Sequence, residues 1–149
     1  STSICFDLSV FELFAPLSCG GTVVLVDSLF DLPGVEHPVT LVNTVPSLAR
    51  ELLRAHRLPA SVRTVNLAGE PLPGDLVADL HTHPGVHAVH NLYGPSEDTT
   101  YSTAALVAPG TIRPPIGRPL PGTRAYVLDR HGNPAPRGVV GELYLSGVG

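Results

Sequence analysis

Ten consecutive residues, 91 to 100, carry side chains that could bind a base, phosphate groups and a metal ion. They read NLYGPSEDTT and follow an apolar run that predicts a buried strand. An amide can pair with a base edge, an aromatic ring can stack on the base, hydroxyls can bond phosphate oxygens and a carboxylate can hold Mg²⁺. Ligands of α/β sheets bind outside the carboxyl ends of strands, where this segment falls. A polar turn would have a similar composition, so spacing alone leaves a binding site and a turn as two interpretations.

The elements before this segment alternate between strand and helix. Apolar, β-branched runs predict buried strands at 22–26, 39–44, 62–68 and 86–92. Apolar residues at helical spacing predict helices at 47–57 and 74–81. Ser9 and Glu12 have capping-box spacing at the start of a first helix, which Gly20 and Gly21 end and which Pro16 should kink or shorten. This alternation indicates parallel βαβ units and an α/β fold.

The pattern changes after Gly94. Residues 103–107, 124–129 and 141–146 predict strands without helices between them, and residues 129–133 (DRHGN) have the composition of a hairpin turn. The predicted fold is therefore α/β, with a parallel βαβ portion followed by a mainly β portion and no internal domain boundary.

The amino-acid composition argues against a nucleic-acid partner and against a membrane span. The 149 residues include 9 basic and 13 acidic side chains, a net charge of −4. All basic residues are arginines and they are scattered, which argues against a nucleic-acid partner. We find neither a run of ~20 apolar residues for a membrane span nor a signal-peptide pattern. Cys5 and Cys19 lack metal-type spacing and are interpreted as buried thiols in a reducing cytoplasm. The charged fraction of 15% is below the ~25% of ordinary domains, which indicates unusual burial or a piece of something larger.

Four ordered motifs carry a resemblance to a known family. They are residues 6–12 (FDLSVFE), 91–97 (NLYGPSE), 116–121 (IGRPLP) and 141–149 (GELYLSGVG). In order and spacing they resemble the F-D-x-S, N-x-Y-G-P-T-E, IGRP and G-E-L-x-I-x-G-x-G motifs of amino-acid adenylation domains in nonribosomal peptide synthetases. These domains belong to the adenylate-forming enzyme superfamily, and the resemblance covers nearly the whole chain.

The resemblance implies a ligase that forms aminoacyl-AMP from ATP and an amino acid. Its cofactors would be ATP and Mg²⁺, and its partners a carrier domain bearing phosphopantetheine and a condensation domain. The chain would be an internal part of the large N-terminal subdomain. It would lack the family's phosphate loop, which precedes F-D-x-S, and the C-terminal subdomain with its catalytic lysine. The chain contains no lysine to stabilise the developing charge, so we expect it to be inactive alone.

The resemblance also assigns roles on the nucleotide side. Asn91 resembles the residue that bonds the adenine amino group, and Tyr93, followed by Gly94, the one that packs on the adenine. Ser96 replaces a threonine whose hydroxyl lies near the α-phosphate, and Glu97 resembles the Mg²⁺ ligand. The adenine-side wall would consist of Gly69, Glu70 and Pro71.

On the amino-acid side, Asp7 resembles the aspartate that pairs with the substrate's α-ammonium group. The alternative is a helix-flanking aspartate stabilised by the helix dipole. The other pocket positions by the same resemblance are Leu8, Phe11, Asn43, Asn66, Ala68, Leu92, Thr100 and Tyr101. Because two of them are bulky and none adds a charge, we expect a small uncharged substrate such as L-alanine. Glycine and serine would compete, since a small apolar pocket discriminates weakly.

Two other functions remain open from the sequence. An acyl-CoA or aryl-acid ligase of the same superfamily would lack a use for Asp7, and a non-catalytic fragment would only bind nucleotide. Two further groups of residues are given structural interpretations. We interpret four clustered histidines as structural and three arginines of one helix as a solvated face; they are His81, His83, His87, His90, Arg50, Arg54 and Arg57.

Overall fold

A computed structural model describes residues 4–5, 7–98 and 100–147. Its helices are α1 (Leu8–Ser18), α2 (Pro46–Arg54) and α3 (Gly74–Thr82). Its strands are β1 (Leu41–Thr44), β2 (Thr64–Leu67), β3 (Ala88–Tyr93), β4 (Thr103–Leu106), β5 (Arg118–Pro119), β6 (Thr123–Leu128) and β7 (Glu142–Gly147). Short 3₁₀ turns span Leu29–Gly34 and Ser96–Asp98.

The first five strands form one sheet in the order β1-β2-β3-β4-β5. β1, β2 and β3 are parallel because α2 and α3 provide the crossovers between them, whereas β4 and β5 join antiparallel. β6 and β7 form a separate antiparallel pair. The predicted α/β fold, parallel first and mainly β afterwards, is confirmed.

The core lies between α2, α3 and one face of the sheet. Val42, Val65 and Val89 are aligned across β1, β2 and β3 and are buried, as strand alternation requires. Ala49 of α2 and Leu80 of α3 pack into the same core and are buried. The register therefore turns residues 43, 66 and 90 towards the opposite face of the sheet.

The predicted capping box at the start of α1 is wrong. Asp7, and not Ser9, caps the helix, because an oxygen of its carboxylate accepts a 2.8 Å hydrogen bond from the amide of Leu8. The Ser9 hydroxyl donates instead to the carbonyl of Ile4, and Glu12 turns towards β1. Pro16 lies in the last turn of α1, and the helix ends two residues later.

The predicted buried strand at 22–26 is also wrong. This segment has no regular secondary structure, and the Leu25 side chain is 81% exposed. A strand requires a hydrogen-bonded partner, and within the described residues β1 pairs only with β2. The two cysteines, predicted to be buried, are both exposed.

The turn after β6 is confirmed, but it does not lead directly into β7. One oxygen of Asp129 accepts hydrogen bonds from the amides of His131 and Asn133, at 2.8 and 2.9 Å. The chain then makes a single bridge from Pro134 to Leu128 before β7 returns alongside β6. In the part of the chain that the structure describes, no helix is long and apolar enough to cross a membrane.

Candidate functional site

Asn43 and Asn66 form the floor of the candidate substrate site. They are aligned in register on adjacent parallel strands, and β3 places His90 next in the same row. Both asparagines are buried on the sheet face opposite the apolar core. The Asn66 Oδ1 atom lies 3.1 Å from Nδ1 of His90, so this amide has a partner within the sheet. The sheet register thus brings two predicted pocket residues side by side.

A hydrogen-bonded chain joins α1, β1 and the segment before β4. The Asn43 amide nitrogen donates to Oε1 of Glu12 at 2.8 Å, and its Oδ1 accepts from the Tyr101 hydroxyl at 2.8 Å. The Tyr101 ring meets the Phe11 ring edge to face, with 5.3 Å between centroids and 76° between planes. Three predicted pocket residues, Phe11, Asn43 and Tyr101, therefore contact one another.

The environment of Tyr101 keeps its hydroxyl protonated. Burial raises the pKa of Tyr101 to about 12, and the negative charges of Glu12 and Asp7 act in the same direction. A protonated phenol is the form that can donate to Asn43. Hydrogen bonds place both carboxylates near this ring, since Asp7 accepts from the amide of the preceding Thr100 and Glu12 accepts from Asn43, the partner of the Tyr101 hydroxyl.

Asp7 links the start of α1 to the segment that carries Tyr101. Its Oδ1 accepts from the Leu8 amide, and its Oδ2 accepts from the Thr100 amide at 3.3 Å. The helix-flanking interpretation is thus correct for one oxygen, while pairing with a substrate ammonium stays a prediction. Thr100 has φ of +70°, a left-handed conformation that a β-branched residue rarely adopts. This strained backbone presents its amide to Asp7.

The remaining predicted pocket residues lie on the elements around this cluster. Leu8 begins α1 and is half-buried, Ala68 follows β2 and is buried, and Leu92 lies in β3 with partial exposure. Because Leu92 is two residues from His90 on the same strand, it belongs to the sheet face that carries Asn43 and Asn66.

The predicted adenine residues follow β3. The buried Asn91 donates from Nδ2 to the Pro115 carbonyl at 2.9 Å, which leaves its other N–H and its oxygen for a ligand. Tyr93 is exposed, and its carbonyl accepts from the Ser102 amide at 2.8 Å. At Gly94, a Cβ would lie 2.7 Å from the Thr100 carbonyl oxygen, so glycine lets the two segments approach.

Within the predicted adenine-side wall, residues 69–71, Glu70 makes hydrogen bonds to the start of α2. The Glu70 carboxylate accepts from the backbone amide of Ser47 at 2.9 Å and from its hydroxyl at 2.8 Å. Glu70 thereby satisfies the start of α2, whose own cap residue, Val45, makes no side-chain hydrogen bond. Gly69 has φ of +80°, whereas an added Cβ would make only an ordinary contact, so the backbone conformation is what favours glycine there.

Ser96 and Glu97 lie on the exposed 3₁₀ turn after β3. Within residues 4–5, 7–98 and 100–147, no three histidine, cysteine or acidic side chains are grouped to hold a metal ion. A single exposed carboxylate still suits Mg²⁺, which is held by one or two carboxylates together with substrate phosphates. Glu97 fits that donor set.

The four histidines that cluster in the sequence are not arranged as the ligands of one metal ion. His81 and His83 each lie 3.0 Å from a backbone carbonyl, of Val107 and Leu58 respectively. His87 lies against Arg63, and His90 against Asn66. Each ring has its own separate partner, in agreement with the structural interpretation.

The interpretation of the three arginines as a solvated face is incomplete, since Arg50 makes a two-pronged ion pair with Asp75 at 2.9 and 3.0 Å.

Two residues of the site were missed in the sequence. Glu12 was interpreted as part of a capping box, and His90 only as one of four clustered histidines. The missed signal for Glu12 is that it adjoins Phe11, so it lies on the same turn as a pocket residue. For His90, strand alternation relative to Leu92 places it on the pocket face. Glu12 also adds a carboxylate beside Asn43, whereas the pocket positions predicted from the sequence carry no charge other than that of Asp7.

Comparison with known proteins connects this geometry to a family. The family model described as AMP-binding enzyme matches residues 1–149. The chain is 58% identical over 152 residues to a linear gramicidin synthase of Brevibacillus parabrevis. It is 54% identical over 156 residues to the AMB antimetabolite synthetase AmbB of Pseudomonas aeruginosa. All of this chain is covered in both alignments, but it spans only 3% and 12% of those proteins.

Solved structures give the same result. The chain resembles a crystal structure of a four-domain nonribosomal peptide synthetase bound to AMP and glycine, with a TM-score of 0.86 and 31% identity. That likeness covers 98% of this chain and 11% of the other. A second crystal structure, of IdnL1, is similar with a TM-score of 0.85 and 28% identity over 99% of this chain and 33% of that one.

Proposed function

Because the chain belongs to the AMP-binding enzyme family, we propose that it is part of an adenylation domain that activates an amino acid for nonribosomal peptide synthesis. The amino-acid carboxylate attacks the α-phosphorus of ATP, which forms aminoacyl-AMP and releases pyrophosphate. The thiol of a carrier-bound phosphopantetheine then takes the aminoacyl group and releases AMP. The carrier and condensation domains would lie elsewhere in the same protein or in a partner chain.

The observation that carries this proposal is the position of Asp7 relative to the aromatic pair. Its carboxylate holds the Thr100 amide, and the next residue along the chain is Tyr101, whose ring packs on Phe11. An anionic group thus lies next to a wall of bulky side chains. A free amino acid presents the matching features, an ammonium group and a side chain on the same carbon. Fatty and aryl acids lack the ammonium group, which would leave the partly buried carboxylate of Asp7 without a cation.

The aromatic pair supports a small substrate. Phe11 and Tyr101 contact each other directly, so a long side chain could enter only by separating them. Glu12 is bonded to Asn43 and therefore does not need a cationic substrate as its partner. We propose L-alanine or another small uncharged amino acid.

On the nucleotide side, Asn91, Tyr93 and Gly94 would bind the adenine against the wall formed by residues 69–71. Ser96 would donate its hydroxyl to the α-phosphate, and the Glu97 carboxylate would hold Mg²⁺. Bound Mg²⁺ would supply charge neutralisation on the phosphates. We place the reaction in the cytoplasm because its substrates, ATP and a free amino acid, are available there.

The test is amino-acid-dependent exchange of pyrophosphate into ATP by the full-length protein that contains this chain. A panel of amino acids and of matched acids lacking the α-amine, such as propionate for alanine, separates the candidate functions. Activity with alanine and not with propionate is expected. Activity with propionate alone would favour the acyl-ligase alternative, and nucleotide binding without exchange would favour a non-catalytic module.

Substitution of Asp7 sharpens that test. Removing one partner of a charge pair costs about 2–5 kcal/mol, so Asp7→Asn should lower kcat/KM for alanine by about 10²-fold. The exposed Asp79 on α3 offers the matched control, Asp79→Asn, which should leave kcat/KM unchanged. Equal effects of the two substitutions would contradict the role of Asp7.

A further inference from the structure

Phe11 and Glu12 are adjacent on α1, and a series of side-chain contacts through Asn43 and Tyr101 connects one to the other, which closes a circuit. Glu12 accepts from the Asn43 amide, Asn43 accepts from the Tyr101 hydroxyl, and the Tyr101 ring returns to Phe11. The circuit joins residues 31 and 58 positions apart in the chain, so none of these contacts follows from local structure. Every side chain in the circuit is buried or partly buried.

Glu12 determines which way the Asn43 amide faces. An ionised carboxylate accepts hydrogen bonds and cannot donate them, so only the NH₂ end of Asn43 can face it. The oxygen end must then face Tyr101, where it accepts the phenolic proton. A reversed amide would bring two acceptor oxygens together at 2.8 Å, which is repulsive.

We propose that Glu12 is a positioning residue that holds the wall of the amino-acid pocket shut. It fixes the Asn43 amide, the amide fixes the Tyr101 hydroxyl, and the tethered Tyr101 ring stays against Phe11. The pocket wall is then rigid, and side chains as large as that of valine are excluded. This inference rests on the proposed amino-acid-activating function and adds to it a residue outside the pocket positions named from the sequence.

The experiment uses the full-length protein with Glu12→Ala, Glu12→Gln and Tyr101→Phe. Glu51→Gln, at an exposed position of α2, is the matched control. Exchange kinetics with alanine, valine and leucine, and with ATP as the varied substrate, give selectivity separately from nucleotide binding.

Glu12→Ala should lower the preference for alanine over valine by about tenfold, because one methylene in a well-formed pocket is worth about 10–200-fold. Glu12→Gln should retain most of the preference, since its carbonyl oxygen still accepts from Asn43. Tyr101→Phe, which keeps the ring and loses the tether, should resemble Glu12→Ala. The KM for ATP should stay within about twofold in all variants, because the circuit does not include the nucleotide residues.

An unchanged preference in folded Glu12→Ala, or a uniform fall in kcat with all amino acids, would overturn the proposal. Should Glu12→Ala fail to fold, Tyr101→Phe decides, and wild-type selectivity in that variant would equally overturn it. A wild-type protein that activates no amino acid would instead contradict the proposed function. Crystal structures of wild type and Glu12→Ala would then decide the positioning role: the Asn43–Tyr101 hydrogen bond should be present in wild type and lost in the variant, and its persistence in both would overturn the role.

Discussion

The carboxylate of Glu70 caps a helix to which it does not belong. It accepts both the amide and the hydroxyl hydrogen of Ser47, 23 residues earlier, at the start of α2. The loop after β2, predicted to line the adenine, is thereby tied to the loop after β1. Both loops lie at the carboxyl edge of the parallel strands, where the candidate site is.

Removing that cap should loosen the first turn of α2. Glu70→Ala should destabilise this turn by about 1 kcal/mol, the usual worth of a helix cap. Hydrogen–deuterium exchange of the full-length protein should show about fivefold faster exchange in a peptide covering residues 45–50. Adding Ser47→Ala to Glu70→Ala should change little further, because the two residues act as a pair. Unaltered exchange in Glu70→Ala would contradict the capping role.

Local pattern accounts for the parts of the fold that the sequence predicted well. The helix predicted at 74–81 is Gly74–Thr82, and the strand predicted at 86–92 is Ala88–Tyr93. Both follow from apolar residues of one short segment, so no distant contact is needed. The strand predicted at 22–26 had the same local composition and was wrong, because a strand also requires a partner, which composition cannot supply.

In the candidate site too, some contacts were predicted from motifs and others depend on distant parts of the chain. Motif resemblance placed Asn43 and Tyr101 in one pocket, and the hydrogen bond between them supports that grouping. The contacts of Glu12 with Asn43 and of Glu70 with Ser47 could not be predicted, because they span 31 and 23 residues and depend on how α1 and the loops pack. Side-chain orientation across such distances is set by tertiary structure and leaves no periodic signal.

Close approach of two backbones at Gly94 leads to a second prediction. Gly94→Ala would place a Cβ 2.7 Å from the Thr100 carbonyl oxygen, so the segment that carries Tyr101 must move. The KM for the amino acid should rise by about tenfold, since overpacking costs about 1–3 kcal/mol. Gly34→Ala is the control, because its Cβ would meet nothing within 4 Å. Similar kinetics for the two variants would show that this approach is not required.

The aromatic pair leads to a third prediction, on substrate size. Phe11→Ala removes one ring of the wall and should admit larger side chains, with kcat/KM for leucine rising by about tenfold or more relative to alanine. Phe14→Ala provides a matched control on the same helix, because Phe14 is 63% exposed. Substrate profiles are measured by pyrophosphate exchange with the full-length protein. An unchanged profile in Phe11→Ala would remove Phe11 from the pocket.

The raised pKa of Tyr101 leads to a prediction on alkaline stability. Its folded-state pKa is about 12 against an ordinary value of 10.0, so between these values the unfolded chain binds fewer protons than the folded one. The stabilisation from Tyr101 is therefore complete below pH 10 and falls as the pH rises towards 12. Unfolding midpoints of wild type and Tyr101→Phe should converge over this range. A constant offset between wild type and Tyr101→Phe over this range would contradict the prediction.

The chain's lack of lysine leads to the last prediction. Charge that develops on the acyl phosphate needs a positioned donor, and we propose that a lysine outside these 149 residues supplies it, because the chain itself contains none. Large apolar side chains such as Val140, 95% exposed, and Leu106, 69% exposed, are surfaces that the rest of a larger protein would cover. The purified chain alone should therefore give no amino-acid-dependent pyrophosphate exchange, while the full-length protein does. Exchange by the 149-residue chain at a rate near that of the full-length protein would show that the site is complete without that lysine.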